Sequence, residues 1–163
     1  MTRLPALGPR GEGWVLAQGI FLVLVAAAGW SLGPDWSWPL RLVGIVVGLV
    51  MIVGGTLLGY RAVRDLGSGF TPLPRPADDS SLVDTGAFAL ARHPVYGGLI
   101  LAGFGWAILR ASVIALALAA ALSVFLYLKS AREEAWLEQR FPDYPAYRAR
   151  TARFIPWIGR SGR

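Results

Sequence analysis

The sequence predicts an all-α integral membrane protein with four transmembrane helices, the last two forming a tight hairpin, followed by a C-terminal cytoplasmic helical segment. Three observations predict it. Hydrophobic residues fill 55% of the 163 positions, only 16% are charged, and the mean hydropathy is +0.50. A soluble domain of this length is nearer a quarter charged and cannot bury so much apolar side chain in one core. Long runs without charge recur along the chain, and a helix needs about 20 apolar residues to cross a bilayer. The basic residues are also distributed unevenly among the connections, as the positive-inside bias requires.

Taken in order, Trp14 to Leu32 is the first span and Leu40 to Tyr60 the second, with Arg41 near an interface where its head can reach water. Val95 to Leu109 and Ala111 to Leu128 follow, separated by Arg110. Reading these two as one bent helix would bury Arg110 at the bilayer centre, a costly position, so a hairpin turning at Arg110 is expected. Arg3 and Arg10 before an apolar run ending Ala26-Ala27-Ala28 imitate a secretory leader, but the flanks favour a retained first span. The connection 33–39 has Asp35, Trp36 and Trp38 and no basic residue. The connection 61–94 carries Arg61, Arg64, Arg75 and Arg92, and the tail adds Lys129, Arg132, Arg140, Arg148, Arg150, Arg153, Arg160 and Arg163. Both termini are therefore expected in the cytoplasm, as in a bacterial inner-membrane protein, with Trp36 and Trp38 anchoring the outer interface.

The chain reads as a single membrane domain: a two-span part (1–60), a cytoplasmic loop (61–94), a helical hairpin (95–128) and a tail (129–163). Gly44, Gly48, Gly55 and Gly59 fall on nearly one face of the second span, since eleven residues make about three turns. Such a stripe allows close approach by the first span, the hairpin or a second copy of the chain. Residues 67–81, GSGFTPLPRPADDSS, read as an irregular loop, a lid or a re-entrant segment with Phe70 and Leu73 as its apolar members. Leu82 to Gly86 reads as a short extended piece, and Pro94 suits the first turn of the third span. No glycine or proline interrupts 111–140, so the fourth helix should outrun the bilayer before Phe141-Pro142 stops it. A cap at Asp143, a short basic helix through Arg153 and an apolar return at 154–158 complete the chain.

Antiparallel pairing sets the start of the third span beside the end of the fourth. Arg92, His93 and Tyr96 then face Glu133 and Glu134, and a cation pair, an imidazole, a phenol and two carboxylates share one membrane-surface pocket. His93 and Tyr96 are three apart and share a helix face. Glu133 and Glu134 are adjacent and point some 100° apart, so one of them is expected in the site. The sequence has no cysteine and one histidine, which supplies neither a thiolate nucleophile nor a metal-ligand set. The net charge of +6 has no lysine-rich block or aromatic interleaving behind it, which excludes nucleic acid as partner and fits anionic headgroups.

Arg92-His93-Pro94-Val95-Tyr96-Gly97-Gly98 resembles the R-H-P-x-Y-x-G signature of the isoprenylcysteine carboxyl methyltransferase family and its phospholipid methyltransferase relatives. Glu133-Glu134 with Leu137, Phe141, Tyr144 and Tyr147, then Arg150 and Pro156, resembles the family's second block, and Leu82-Val83-x-Thr85-Gly86 its usual approach to R-H-P. The likeness spans 82–156. Where bacterial relatives commonly have G-P-Y-R-Y, this chain reads Gly86-Ala87-Phe88-Ala89-Leu90; the alanine is similar to the eukaryotic enzymes, and Phe88 forgoes a hydroxyl.

The resemblance implies S-adenosyl-L-methionine as cofactor and methyl transfer to a lipophilic acceptor. Gly86, Phe88, His93, Tyr96, Glu134 and Tyr147 are the implied cofactor-binding residues, with Trp136 a second aromatic for adenine. Arg92, Arg150 and Glu133 are the implied catalytic residues. A carboxylate acceptor is already ionised and needs only a cation to orient it, Arg150 first and Arg92 second. An amine or thiol acceptor would have to lose a proton, to Glu133 or His93. The plainer readings are a helix-capping histidine, a salt-bridged acidic turn, interfacial tyrosines and lipid-gripping arginines. The alternatives in function are a phospholipid, amine or thiol methyltransferase, a non-catalytic membrane scaffold forming a homo-oligomer through the glycine stripe, and a haem or quinone protein.

Overall fold

The computed structural model describes residues 4–30, 36–75 and 81–155. Within them the chain is helical: α1 (Glu12–Trp30), α2 (Trp38–Leu66), α3 (Ala87–Leu90), α4 (Pro94–Leu109), α5 (Val113–Arg140) and α6 (Tyr144–Arg150), with a 3-10 turn at Gly67–Gly69 after α2. No strand occurs among the described residues. Three helices, α1, α2 and α5, are long and apolar enough to cross a membrane. The expected third span is shorter: the 16 residues of α4 reach about 24 Å, against a hydrocarbon core of about 30 Å.

Local chemistry sets the helix ends. Pro39 lies in the first turn of α2 and Pro94 opens α4, where a missing N–H costs nothing. The Ser112 hydroxyl caps α5 by accepting from the Ala115 N–H at 3.1 Å. Arg110 stands at the turn between α4 and α5, as expected. Its Nε donates to the Gly29 carbonyl at 2.8 Å, closing the end of α1, and its guanidinium lies over the rings of Trp30 and Trp106.

Three boundaries differ from expectation. The second helix runs on to Leu66, taking in Arg61 and Arg64, because nothing before Gly67 breaks it. Asp143 precedes α6 without a side-chain capping bond, since its backbone is already helical. The last helix ends at Arg150 and not at Arg153, because Thr151 to Arg153 turn extended and pair with another segment. The loop residues 76–80, residues 156–158 of the apolar return expected at 154–158, and Leu32 and Asp35 lie outside the described residues.

The glycine stripe is used within the chain. Gly44, Gly48 and Gly55 are buried in α2, and α4 runs antiparallel across them. A Cβ added to Gly48 would stand 2.6 Å from the Gly105 carbonyl oxygen, and one at Gly105 would stand 2.7 Å from that of Gly48. Gly98 and Gly55 meet in the same way, with the backbone of Gly59 alongside. α4 therefore covers the stripe at Gly44, Gly48 and Gly55, whereas nothing lies within 4 Å of a Cβ added at Gly59. On the other side of the hairpin, Val25, Leu122 and Leu126 form a core with Phe21, Leu22, Leu99 and Phe125. Large apolar side chains such as Leu16, Val23, Val46, Val50, Leu57 and Val124 point outward, as they do on a surface solvated by lipid.

A candidate active site at one end of the bundle

Proline disfavours helical backbone in the residue before it, so His93 precedes α4 in a non-helical conformation. Ala91 to His93 lies alongside 151–153: Ala91 and Ala152 form a parallel bridge, the Arg92 N–H donates to the Ala152 carbonyl at 2.8 Å and the His93 N–H to Arg153 at 2.9 Å. This short ladder fixes Arg92 and His93 against the end of α5, where Glu133 and Glu134 project.

The two glutamates have different surroundings. Glu134 has a side chain 3% exposed. Its Oε1 accepts from Arg92 Nε at 3.0 Å and faces His93 Nε2 at 3.1 Å, and its Oε2 accepts from Arg153 at 2.9 Å. An ionised carboxylate only accepts, so His93 presents Nε2–H to it. Arg92 also donates to the Arg148 and Thr151 carbonyls. Glu133 instead lines a cavity of about 120 Å³. The Tyr96 hydroxyl donates to its Oε2 at 2.9 Å, and His93 Nδ1 stands 3.6 Å from the same oxygen. The rings of Tyr96 and His93 stack, 5.5 Å apart between centroids.

The rest of the cavity wall comes from α1, α2 and the segment after it: Gln18, Leu66, Phe70, Thr71 and Pro72, with Phe88, Arg92, Pro94, Val95 and Lys129. The structure thus gathers Arg92, His93, Tyr96, Glu133 and Phe88 around one space. Gly86 and Tyr147 are behind it. Gly86 takes φ +58°, and a Cβ there would strike the Asp65 carboxylate, which accepts the Ala87 N–H at 2.7 Å. The Tyr147 hydroxyl donates to the Phe88 carbonyl at 2.7 Å. Both fix the segment that carries the Phe88 ring. Burial pushes the Tyr147 phenol above its ordinary range, with Arg92 and Arg150 opposing, so it stays protonated as this donor.

Arg150 stands apart from these residues. It pairs with Asp84, its side chain is 58% exposed, and it does not line the cavity. It follows the last turn of α6 outward instead. Trp136 is likewise elsewhere, beneath the Arg132 guanidinium at 4.1 Å. Glu134 is behind the wall, spent on its cations. Sequence reasoning passed over Lys129, read only as one more inside-facing charge, and over Gln18 and Arg153. Lys129 is the chain's single lysine, and Gln18 is the one amide in α1; polar groups within apolar helices are the signal that marked them.

Fold and site together define a helical membrane protein with a cavity of mixed apolar and charged lining at one end of its bundle. The chain belongs to the phospholipid methyltransferase family, whose profile matches residues 43–144. It is also similar to Protein-S-isoprenylcysteine O-methyltransferase B of Arabidopsis thaliana, 30% identical over 115 residues that make up 68% of this chain. The match spans 58% of that relative's length.

Proposed function

We propose that the protein is a membrane methyltransferase that uses S-adenosyl-L-methionine to methylate a lipophilic acceptor. The observation that carries this reading is the convergence of His93, Tyr96 and Glu133 on one cavity within the segment that the family profile covers. The residues present fit the cofactor: Glu133 and His93 Nδ1 offer acceptors to its ammonium, Arg92 offers its remaining guanidinium N–H groups to its carboxylate, and Phe88 offers an apolar wall to adenine. When bound, the cofactor supplies an electrophilic methyl group on a sulfonium leaving group.

Methyl transfer is an in-line displacement, so the protein's work is alignment and exclusion of water. Glu134 acts at one remove. By holding Arg92, His93 and Arg153 together, it fixes Arg92 and His93 at the cavity wall. The name of the Arabidopsis relative supports a carboxylate acceptor, which attacks through its own oxygen with no general base. The family's name supports a second reading, an amine headgroup whose proton would pass to Glu133.

The reading includes four crossings, with α4 and α5 as the last two and the cavity at the cytoplasmic face. Arg61, Arg64, Arg75, Arg92, Arg132, Arg148, Arg150 and Arg153 belong to the cavity end, against Arg41 and Arg110 at the other. Purified protein in nanodiscs tests the function by calorimetry. It should bind S-adenosylhomocysteine, and Glu133→Gln should weaken that binding about tenfold, the loss of one charge-assisted contact. Absence of binding by folded protein would overturn the reading.

A further inference from the structure

Lys129 has a role still to be explained. Its residue is 1% exposed, yet it carries an ammonium and lines the cavity. The Nζ donates to the Gln18 side-chain oxygen at 2.6 Å and to the Pro72 carbonyl at 3.3 Å, and it stands 5.0 Å from the centre of the Tyr96 ring. Among the described residues no carboxylate oxygen comes within the 4.0 Å of an ion pair. An ammonium has three N–H donors, and neutral oxygens take two of them. Arg92, the other cation of the wall, already has Glu134 as its counter-charge. Glu133, one turn on along α5, acts on this cation electrostatically without coming into ion-pair contact, and an anion bound directly at its third N–H would offset more of the cost of burying it.

Position along α5 indicates which anion. Lys129 and Glu133 are four apart and share a helix face. Lys129 is about 6 Å further back along α5 towards its apolar run, and Leu66, Phe70 and Val95 are among the apolar residues of the same cavity. The acidic end, at Glu133 and His93, suits a cationic donor; the lysine end adjoins the lipid-soluble part of the bundle. We infer that Lys129, held in place by Gln18, binds the anionic head of the lipophilic methyl acceptor and so selects carboxylates over amines. This rests on the proposed methyl transfer and assigns an orienting role within it to a residue that lines the cavity, as Arg150 does not. The acceptor carboxylate oxygen forms the new bond to the methyl carbon while the carbon–sulfur bond breaks, its electron pair leaving with the thioether. No proton needs to move.

Because the chain has one lysine, protein labelled with ¹³C,¹⁵N-lysine reports Lys129 alone. In nanodiscs a prenyl thioether carboxylate should shift its Cε resonance and saturate, whereas the amine and alcohol of equal chain length should not. Lys129→Met and Gln18→Leu should weaken carboxylate binding about tenfold while S-adenosylhomocysteine affinity stays within about twofold. Equal responses to the three probes, or none, would overturn the inference, as would an equal loss of cofactor and acceptor binding in both variants, the mark of a structural staple. Wild-type protein that shows the carboxylate shift without binding S-adenosylhomocysteine would refute the methyltransferase reading and keep the anion site. Should the variants fail to fold, the wild-type titration decides alone.

Discussion

Single side chains at this site divide into those that face the cavity and those that hold them there. Glu134 is the hub of the second group, and replacing it strands charges: Glu134→Ala leaves Arg92 and Arg153 without their buried partner. Breaking a buried pair from one side costs about 3–5 kcal/mol, so thermal unfolding should show a large drop in stability. Arg150→Ala removes only an exposed pair with Asp84, worth at most about 1 kcal/mol, and cofactor binding should be unchanged in calorimetry. The buried phenols carry a pH signature. Tyr144 and Tyr147 are pushed up by burial, away from the 10.0 of a free phenol. Above pH 10 the unfolded chain releases protons that the folded chain retains, so stability should fall as pH rises through that range. Tyr147→Phe should flatten the slope.

Among the helices, α2 and α4 depend on the absence of side chains. The backbones of Gly48 and Gly105, and of Gly55 and Gly98, touch where any Cβ would intrude. Between apolar helices in lipid, attraction comes from close packing and not from water exclusion, so lost contact has little to replace it. Gly48→Leu should separate the pair and lower stability by about 1–3 kcal/mol, the usual cost of overpacking, measured by unfolding in detergent. Gly54→Ala is the control, since nothing lies within 4 Å of the added Cβ there. The stripe itself was legible in the sequence, because its spacing follows from helical geometry alone. Which neighbour it served was not, since small residues admit any close partner.

For the whole molecule, sequence and fold agree where periodicity and proline placement determine the outcome: the apolar runs, the turn at Arg110, the start of α4 and the meeting of His93 and Tyr96 with the paired glutamates. They part where a contact depends on the path of a coil. The extended stretch 151–153 pairs with Ala91 to His93, and α6 then points Arg150 towards Asp84; no local pattern encodes that. Lys129 and Gln18 are 111 positions apart, and their bond is a property of three-helix packing. The orientation yields to a simple test, because the natural chain has no cysteine. A Ser37→Cys variant should react with a membrane-impermeant maleimide from outside the cell, and Gln139→Cys only from everted vesicles.

The pairing of Ala91 with Ala152 also bears on biosynthesis. The backbone amides of Arg92 and His93 find their acceptors only at Ala152 and Arg153, sixty positions downstream. By the time the translating ribosome has released those residues, helices α1 to α5 have already been made. The cavity wall is thus completed only after α1 to α5 have been made, and a nascent chain halted at Arg150 should lack the pairing that holds Arg92 and His93 in place.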